Sequence, residues 1–583
     1  MLTYIGMPLG TQVNSLRILL ENLNTDRSSK FSFIKKTHDK PALFPNEAKV
    51  NFLKRSKPHE HGIDDEYIES FINEITSDLS IRSNRMLIIK DNDVIGEHYA
   101  YPYIKRSWDC VFSASKTVTA LALGLLYDEG KVDLDLPVCK IIGNEKLVRV
   151  ARNKKITLRH LLTMSTGVSF NEMDTASSEY WCRDYFNTNA KFRLGSKFEY
   201  NSLNSYIIGV AIEKLAGQKF EDLVRERIFK PLGISETYFD ISPEGYFKCG
   251  WGLYILPEDM AKLGIMVRDN GVYKGKRILS EEWINLMTHT EYQATKFGHV
   301  LDYGFQIWTN DKDNYCCFNG MYDQNIFIFR NSGVVVVTCF ADNEAFHSSN
   351  LFAISSKYFA SKKQGKFPLC ETHGNRDLKN YDNLNYYFDQ LAGKKFTPTT
   401  KIANSCGVIP LLLQNEVSTY AEGIKSLTFV KDENENVVVV HEGNHNYHLR
   451  FTFSNGVRQI LSYQGNIYDV VIDGRFILSG KGEPFLVIRL FFLEFSYSRY
   501  ISIKFNKNKN LISVELSENP GFDFVTSIIE NQDESVKVFI KRWLNTLNPA
   551  LVSGKIKNIF APTFMATCGK VKHFLDSKKE SSN

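Results

Sequence analysis

The chain has 583 residues, too many for a single hydrophobic core, so two or more domains are expected. Its 43% apolar and 23% charged residues are those of an ordinary globular protein, and a net charge of +5 with no basic block gives no support to a nucleic-acid role. No stretch reaches the length of a bilayer-spanning helix: the richest, from Phe485 to Ile503, is broken by Arg489, Glu494 and Arg499. The N-terminus lacks the basic and then apolar run of a secretory leader, and ten cysteines occur without Cys-x-x-Cys spacing. Free thiols and a cytoplasmic location are therefore expected, with no zinc site.

In chain order, residues 1–58 are polar and irregular and read as an extension closing on the basic run Lys54-Arg55-Ser56-Lys57-Pro58. An amphipathic helix opens at Asp64-Asp65-Glu66-Tyr67 and runs through Ile75. A hairpin follows, Arg85–Lys90 and Val94–Tyr99 around Asp91-Asn92-Asp93. Next comes Phe112-Ser113-Ala114-Ser115-Lys116 at the start of a periodic helix, whose apolar residues fall at Val118, Leu121, Ala122, Leu125 and Leu126, with Gly130 as its stop. A largely helical stretch spans Thr157 to Met287. Strands return at Tyr303–Thr309, Gln324–Arg330 and Gly333–Phe340. Strands flanking a helical middle imply an α+β domain over residues 59–364 whose sheet joins distant parts of the chain. Residues 365–405 are polar and read as a linker. From 406 to 583, alternating runs such as Tyr447–Phe453 and recurrent turn residues predict an antiparallel β-barrel or sandwich.

The chemistry concentrates at Ser113. Ser113 and Lys116 lie one helical turn apart and share a face, and the helix N-terminus supplies unpaired N–H groups suited to an oxyanion. A serine hydroxyl needs a partner that removes its proton. A lysine kept neutral by burial does this, as does a tyrosinate beside an ammonium; the tyrosine candidate is Tyr200, in Phe198-Glu199-Tyr200-Asn201-Ser202, ahead of the helix Tyr206–Gly217. A Ser-x-x-Lys string alone is not specific: Ser32-Phe33-Ile34-Lys35 is another, in a stretch without helical period.

Context separates the two. Residues 113–135 (SASKTVTALALGLLYDEGKVDLD), His160–Gly167 (HLLTMSTG), Phe198–Gly217, Gly250-Trp251-Gly252-Leu253-Tyr254, Asp259–Gly264 and Gly271–Leu279 occur in an order that resembles the serine beta-lactamase superfamily. The resemblance is to its class C and penicillin-binding-protein-like branch, near 6-aminohexanoate-dimer hydrolases and class C-like esterases, over roughly residues 60 to 345. It implies an antiparallel sheet flanked by helices with a helical subdomain, and a serine hydrolase of esters or amides that needs no metal or organic cofactor. By the same resemblance Ser113 is the nucleophile, Lys116 its activating partner, and Tyr200 the base for acylation and acid for the leaving group. The Ser113 N–H and an N–H after Gly320 would form the oxyanion hole. Ser202, Trp251, Gly320, Tyr322 and Gln324 are the expected substrate-binding positions, and small esters, amides or short peptides the expected partners.

Two departures stand out. The family's Tyr-x-Asn reads Tyr200-Asn201-Ser202, with a hydroxyl third. The strand that normally carries a Lys or His reads Cys317-Phe318-Asn319-Gly320-Met321-Tyr322-Asp323-Gln324, without a basic residue. In the family that cation holds a substrate carboxylate, so a neutral or differently held substrate is expected here, with penicillin or D-amino peptide cleavage an alternative. Asp323 would bind an amine or face water. The altered motif also motivates the rival expectation of a catalytically silent binding or assembly protein. A structural role is expected for His160, as a capping or buried group; Cys110, one turn before Ser113, invites a cysteine-nucleophile reading that the lack of a histidine partner in the motif argues against; Ser202 would either cap the Tyr206 helix or touch substrate.

Overall fold

The computed structural model describes residues 49–172, 174–294, 301–343, 349–362, 384–417, 419–432, 435–478, 483–506, 510–521 and 561–568. Most of the expected N-terminal extension and the first part of the expected linker lie outside the described residues. These residues divide into two compact units, one formed by 49–362 with Leu493–Ser496 and the other by the remainder.

The first unit is built on an eight-stranded antiparallel sheet. Its strands are β1 (Arg85–Lys90), β2 (Asp93–Tyr99), β3 (Tyr292–Gln293), β4 (Asp302–Tyr303), β5 (Trp308–Asn310), β6 (Tyr315–Gly320), β7 (Gln324–Phe329) and β8 (Val334–Cys339). Their spatial order is β2-β1-β8-β7-β6-β5-β4-β3, so the first hairpin of the chain closes onto its last strand. Ile88 pairs with Val336 and Phe327 with the same valine from the other side. Side chains alternate across a strand, and β8 is apolar at nearly every position because both faces are covered. Val335, Val337 and Cys339 enter one core; Val334 and Val336 enter another. Each such fully buried aliphatic side chain contributes about 1.5–3 kcal/mol relative to exposure.

The second of those cores is closed by α1 (Asp65–Ser77), which buries Tyr67, Ile68, Phe71 and Ile75 at helical spacing, together with the helix Ser349–Phe359. On the other face lie α2 (Ser115–Asp128), α3 (Leu158–Leu162), α4 (Ser202–Ala216) and α5 (Pro257–Arg268). Helices α2 and α4 are enclosed along most of their length: α2 is buried from Ser115 to Leu126 and α4 from Ser202 to Ile212. The expected amphipathic face of α2 is thus only part of what it buries.

Three boundaries differ from the sequence reading. The strand expected over Tyr303–Thr309 is split, because Gln306 adopts a left-handed φ of 58° and the Phe305 N–H leaves the ladder for the carbonyl of Met287. Residues 49–58, read as part of an extension, are tied to the unit: Arg55 forms a bidentate ion pair with the buried Glu258, and Val94 exchanges backbone hydrogen bonds with Lys54 and Ser56. The end of the expected linker is also structured, since Lys395–Pro398 is a β-strand of the second unit.

That second unit is a ten-stranded antiparallel sheet curled into a nearly closed barrel. In chain order its strands are β9 (Lys395–Pro398), β10 (Ile424–Lys431), β11 (Asn436–Glu442), β12 (His445–Phe451), β13 (Val457–Tyr463), β14 (Asn466–Leu478), β15 (Pro484–Phe492), β16 (Ser498–Phe505), β17 (Leu511–Asn519) and β18 (Thr563–Cys568). They lie in the order β12-β11-β10-β9-β18-β17-β16-β15-β14-β13. The alternation read over Tyr447–Phe453 holds as far as Phe451, where the strand ends, with Tyr447, Leu449 and Phe451 inside and His448 outside. No helix among the described residues is long and apolar enough to cross a membrane.

Candidate active site

Ser113 sits in the tight turn Phe112–Ala114 that leads directly into α2. Phe112 holds φ at 43°, a conformation that disfavours a bulky side chain and is found chiefly where surrounding packing imposes it. Here its ring is held edge-to-face, 5.3 Å from the ring of Tyr322, which is itself left-handed at φ 62°. The turn leaves Ser113 half-buried while its neighbours Phe112 and Ala114 are enclosed.

Lys116 Nζ lies 2.8 Å from Ser113 Oγ and donates to the carbonyl of Gly250 at 2.6 Å. The lysine is buried, and the loss of hydration pushes its pKa down to about 7; the carboxylate of Glu172 acts weakly in the other direction. Its ammonium end stands 4.8 Å from the centre of the Tyr200 ring. Tyr200 stacks on Trp308 at 5.7 Å, and burial raises its phenol well above the ordinary value despite a hydrogen bond with Ser113. A hydroxyl, an amine near neutrality and a protonated phenol are therefore in mutual contact. Such an amine can accept the serine proton, and such a phenol can donate one.

The polar residues of buried α2 are each satisfied by elements that frame this trio, as burial requires. Ser115 Oγ accepts from the Leu253 N–H, Thr119 Oγ1 donates to the Cys249 carbonyl, and Thr117 Oγ1 donates to the Gln306 carbonyl at 2.7 Å. Gln306 then joins the other helices. Its Nε2 donates to the carbonyls of Leu161 and Leu162 in α3, and its Oε1 accepts from Ser205 Oγ in α4. One buried residue, through its carbonyl and its side-chain amide, thus links the helix carrying Lys116 to the helix that follows Tyr200. The sequence reading missed Gln306, since Gly304-Phe305-Gln306-Ile307-Trp308 reads as plain strand; its only signal is an amide among apolar neighbours.

The expected substrate-binding positions fall into different environments. Trp251 is partly exposed beside Gly250 and stacks on Trp181 at 5.6 Å. Ser202 is the first residue of α4 and packs against Gly250, but the cap of that helix is Asn201, whose Oδ1 accepts from the Leu203 N–H. Gly320 ends β6 against the backbone of Val111, two residues before Ser113. Tyr322 and Gln324 are buried; Gln324 Nε2 donates to the carbonyls of Tyr322 and Phe340 and to Ser496 Oγ, so its amide nitrogen is already engaged. Asp323 is also fully buried and accepts from Asn325 Nδ2, at odds with the expectation that it meets an amine or water. Asn319 donates to the side chain of Asn325, and no cation stands on this strand. His160 closes a capping box with Thr157, and Cys110 is buried.

Against known proteins, residues 68–354 match the family model described as Beta-lactamase. This segment is a beta-lactamase domain. The chain is 23% identical over 284 residues to the 6-aminohexanoate-dimer hydrolase of Paenarthrobacter ureafaciens, covering 44% of this chain and 71% of that one. It is 28% identical over 155 residues to the monacolin J acid methylbutanoyltransferase of Aspergillus terreus, covering 22% of this chain and 37% of that one. Among solved structures, a D-stereospecific amidohydrolase from Streptomyces is 18% identical and covers 49% of this chain and 97% of that one, with a TM-score of 0.41. The beta-lactamase domain, with its helices and antiparallel sheet, thus occupies the first unit, and its family includes hydrolases. Ser113, Lys116, Tyr200 and the strand ending at Gly320 all lie within the matched segment.

Proposed function

We propose that the beta-lactamase domain is a serine hydrolase of esters or amides that works through an acyl-enzyme on Ser113. The observation that carries this reading is the 2.8 Å contact between Ser113 Oγ and an amine whose burial brings its pKa to about 7. Neutral Lys116 takes the hydroxyl proton as Oγ attacks the substrate carbonyl. The tetrahedral oxyanion is met by the Ser113 N–H and an N–H after Gly320. As the carbon–oxygen or carbon–nitrogen bond breaks, Tyr200 gives its proton to the leaving group and regains one from the Lys116 ammonium. Water then attacks the acyl-serine, the Lys116–Tyr200 pair takes its proton, and that proton returns to Ser113 Oγ as the acid departs. The high affinity of half-buried Tyr200 for its proton favours Lys116 over Tyr200 as the first base.

The absence of a cation on β6 supports a preference for acyl groups without a carboxylate at the position that penicillins use. Burst kinetics with p-nitrophenyl esters test the reading. Wild type is expected to release one equivalent of p-nitrophenol rapidly and to carry the acyl group on Ser113 by mass spectrometry. An identical trace from Ser113→Ala, with no labelled serine in wild type, would overturn it and leave a binding role.

A further inference from the structure

We infer that the segment Leu493–Ser496 is a positioning element of the acyl-transfer site, fixing the two backbone stretches whose N–H groups meet the oxyanion. The inference rests on the hydrolase reading above, which it deepens by naming residues that act from behind the site. These four residues lie well beyond residue 354, where the family match ends, yet they belong to the same compact unit as Ser113.

All four residues are buried, and buried backbone groups need partners. Theirs lie along the stretch that runs into the nucleophile. The Leu493 carbonyl accepts from Arg85 Nη2 at 2.8 Å and from Ser107 Oγ at 3.0 Å. The Glu494 carbonyl accepts from the Cys110 N–H at 2.9 Å, three residues before Ser113. Cys110 pairs with Tyr254 in a short antiparallel ladder, and the Phe495 ring meets the Tyr254 ring edge-to-face at 5.5 Å. The Val111 N–H then donates to the Leu253 carbonyl at 2.9 Å. The turn Phe112–Ala114 therefore starts from a backbone held at successive residues.

Ser496 holds the other stretch. Its Oγ accepts from Gln324 Nε2 at 2.9 Å and donates to the Phe340 carbonyl at 2.6 Å. The same Nε2 donates to the carbonyls of Tyr322 and Phe340, which sets the orientation of the amide. Gln324 is the cross-strand partner of Gly320 where β6 turns into β7. A β-carbon at Gly320 would fall 2.2 Å from the Val111 carbonyl oxygen and 3.1 Å from the β-carbon of Gln324. Gly320 is thus enclosed between Val111, next to the residue that Glu494 holds, and Gln324, which Ser496 holds. That close approach sets the spacing between the Ser113 N–H and the N–H after Gly320. Oxyanion stabilisation depends on such preorganised spacing, and small displacements of a donor are costly.

The test uses the full chain carrying Ser496→Ala, which removes both hydroxyl bonds and leaves Ser113, Lys116 and Tyr200 in place. Two readouts are followed: acylation by p-nitrophenyl acetate, and binding of phenylboronic acid, which adds to a serine hydroxyl as a tetrahedral boronate and so reports on the oxyanion position. Ser496→Ala is expected to lower the maximal acylation rate and the boronic acid affinity together, by about tenfold to a hundredfold. The ester concentration that half-saturates acylation and the acid limb of its pH profile should stay where they are in wild type. A purely structural role would lower the melting temperature without this paired loss. Phe495→Leu, which loosens the segment at Tyr254 instead, should act in the same direction and decides the matter if Ser496→Ala does not fold. Unchanged acylation and boronic acid affinity in the folded variant would overturn the inference and leave the hydrolase reading intact. A wild type that neither acylates nor binds the boronic acid at Ser113 would overturn that reading, and the positioning role with it.

Discussion

A β-carbon at Gly250 would fall 2.5 Å from the carbonyl oxygen of Ser202, so the two backbones meet where no side chain fits. The carbonyl of Gly250 takes the hydrogen bond of Lys116, and Ser202 begins the helix behind Tyr200. This close approach sets how the lysine and the tyrosine face one another. Gly250→Ala must push the two segments apart. The expected outcome is a loss of about tenfold to a hundredfold in acylation rate in a chain that still folds, measured by burst kinetics beside circular dichroism.

Lys116 links activity to stability. In the unfolded chain its pKa is near the ordinary 10.5, and in the folded protein burial lowers it to about 7. Between these values the unfolded state binds a proton that the folded state does not, so stability rises with pH across this window; below about pH 7 the full penalty of burying the group is present. Lys116→Met is expected to raise the melting temperature at pH 7, by an amount that shrinks as pH rises toward 10, while abolishing acylation. A variant melting below wild type at pH 7 would count against a near-neutral lysine.

The same titration predicts the pH profile. Acylation of wild type should climb through an apparent pKa near 7 as Lys116 loses its proton, and stay high well past pH 9 because Tyr200 keeps its own. A profile that instead rises only near pH 10 would point to tyrosinate as the base. Tyr200→Phe is expected to lower kcat by about a hundredfold or more, with the larger effect on esters of poor leaving groups than on p-nitrophenyl esters.

Gln306 offers a test of positioning at a distance. Its side-chain amide connects α3 and α4, and its backbone carbonyl takes the hydroxyl of Thr117 in α2, without touching Ser113. Gln306→Leu leaves the hydroxyl of Ser205 buried without its acceptor, at about 1–3 kcal/mol, and strips the second donor from the carbonyls of Leu161 and Leu162, which keep the N–H groups of Met164 and residue 306. Beyond the fall in melting temperature, the acid limb of the pH profile should move upward as water reaches Lys116. Gln306→Glu, which keeps the acceptor, should lie between.

What the local sequence carries well is whatever depends on short range. The helical spacing after Ser113, the helix at Tyr67–Ile75, the hairpin around Asp91 and, as far as Phe451, the alternation read over Tyr447–Phe453 are present, because periodicity reports directly on which face is buried. The order of motifs likewise pointed to the family that the comparison of residues 68–354 supports. Less legible were features imposed by neighbours far along the chain: the break at Gln306, the burial of Asp323 and Gln324, and the strand at Lys395–Pro398 in a polar stretch.

Sequence alone therefore determined that a serine and a lysine share one face of a helix start, since three residues always lie about one turn apart in an α-helix. It also determined that no basic residue stands on the strand Tyr315–Gly320. Only the tertiary structure decided that Lys116 is buried against Gly250, 134 residues away, with the ring of Tyr200 beside it. The reason is physical: a pKa is set by desolvation and by charges within a few ångströms, and long-range folding, not spacing along the chain, brings those together.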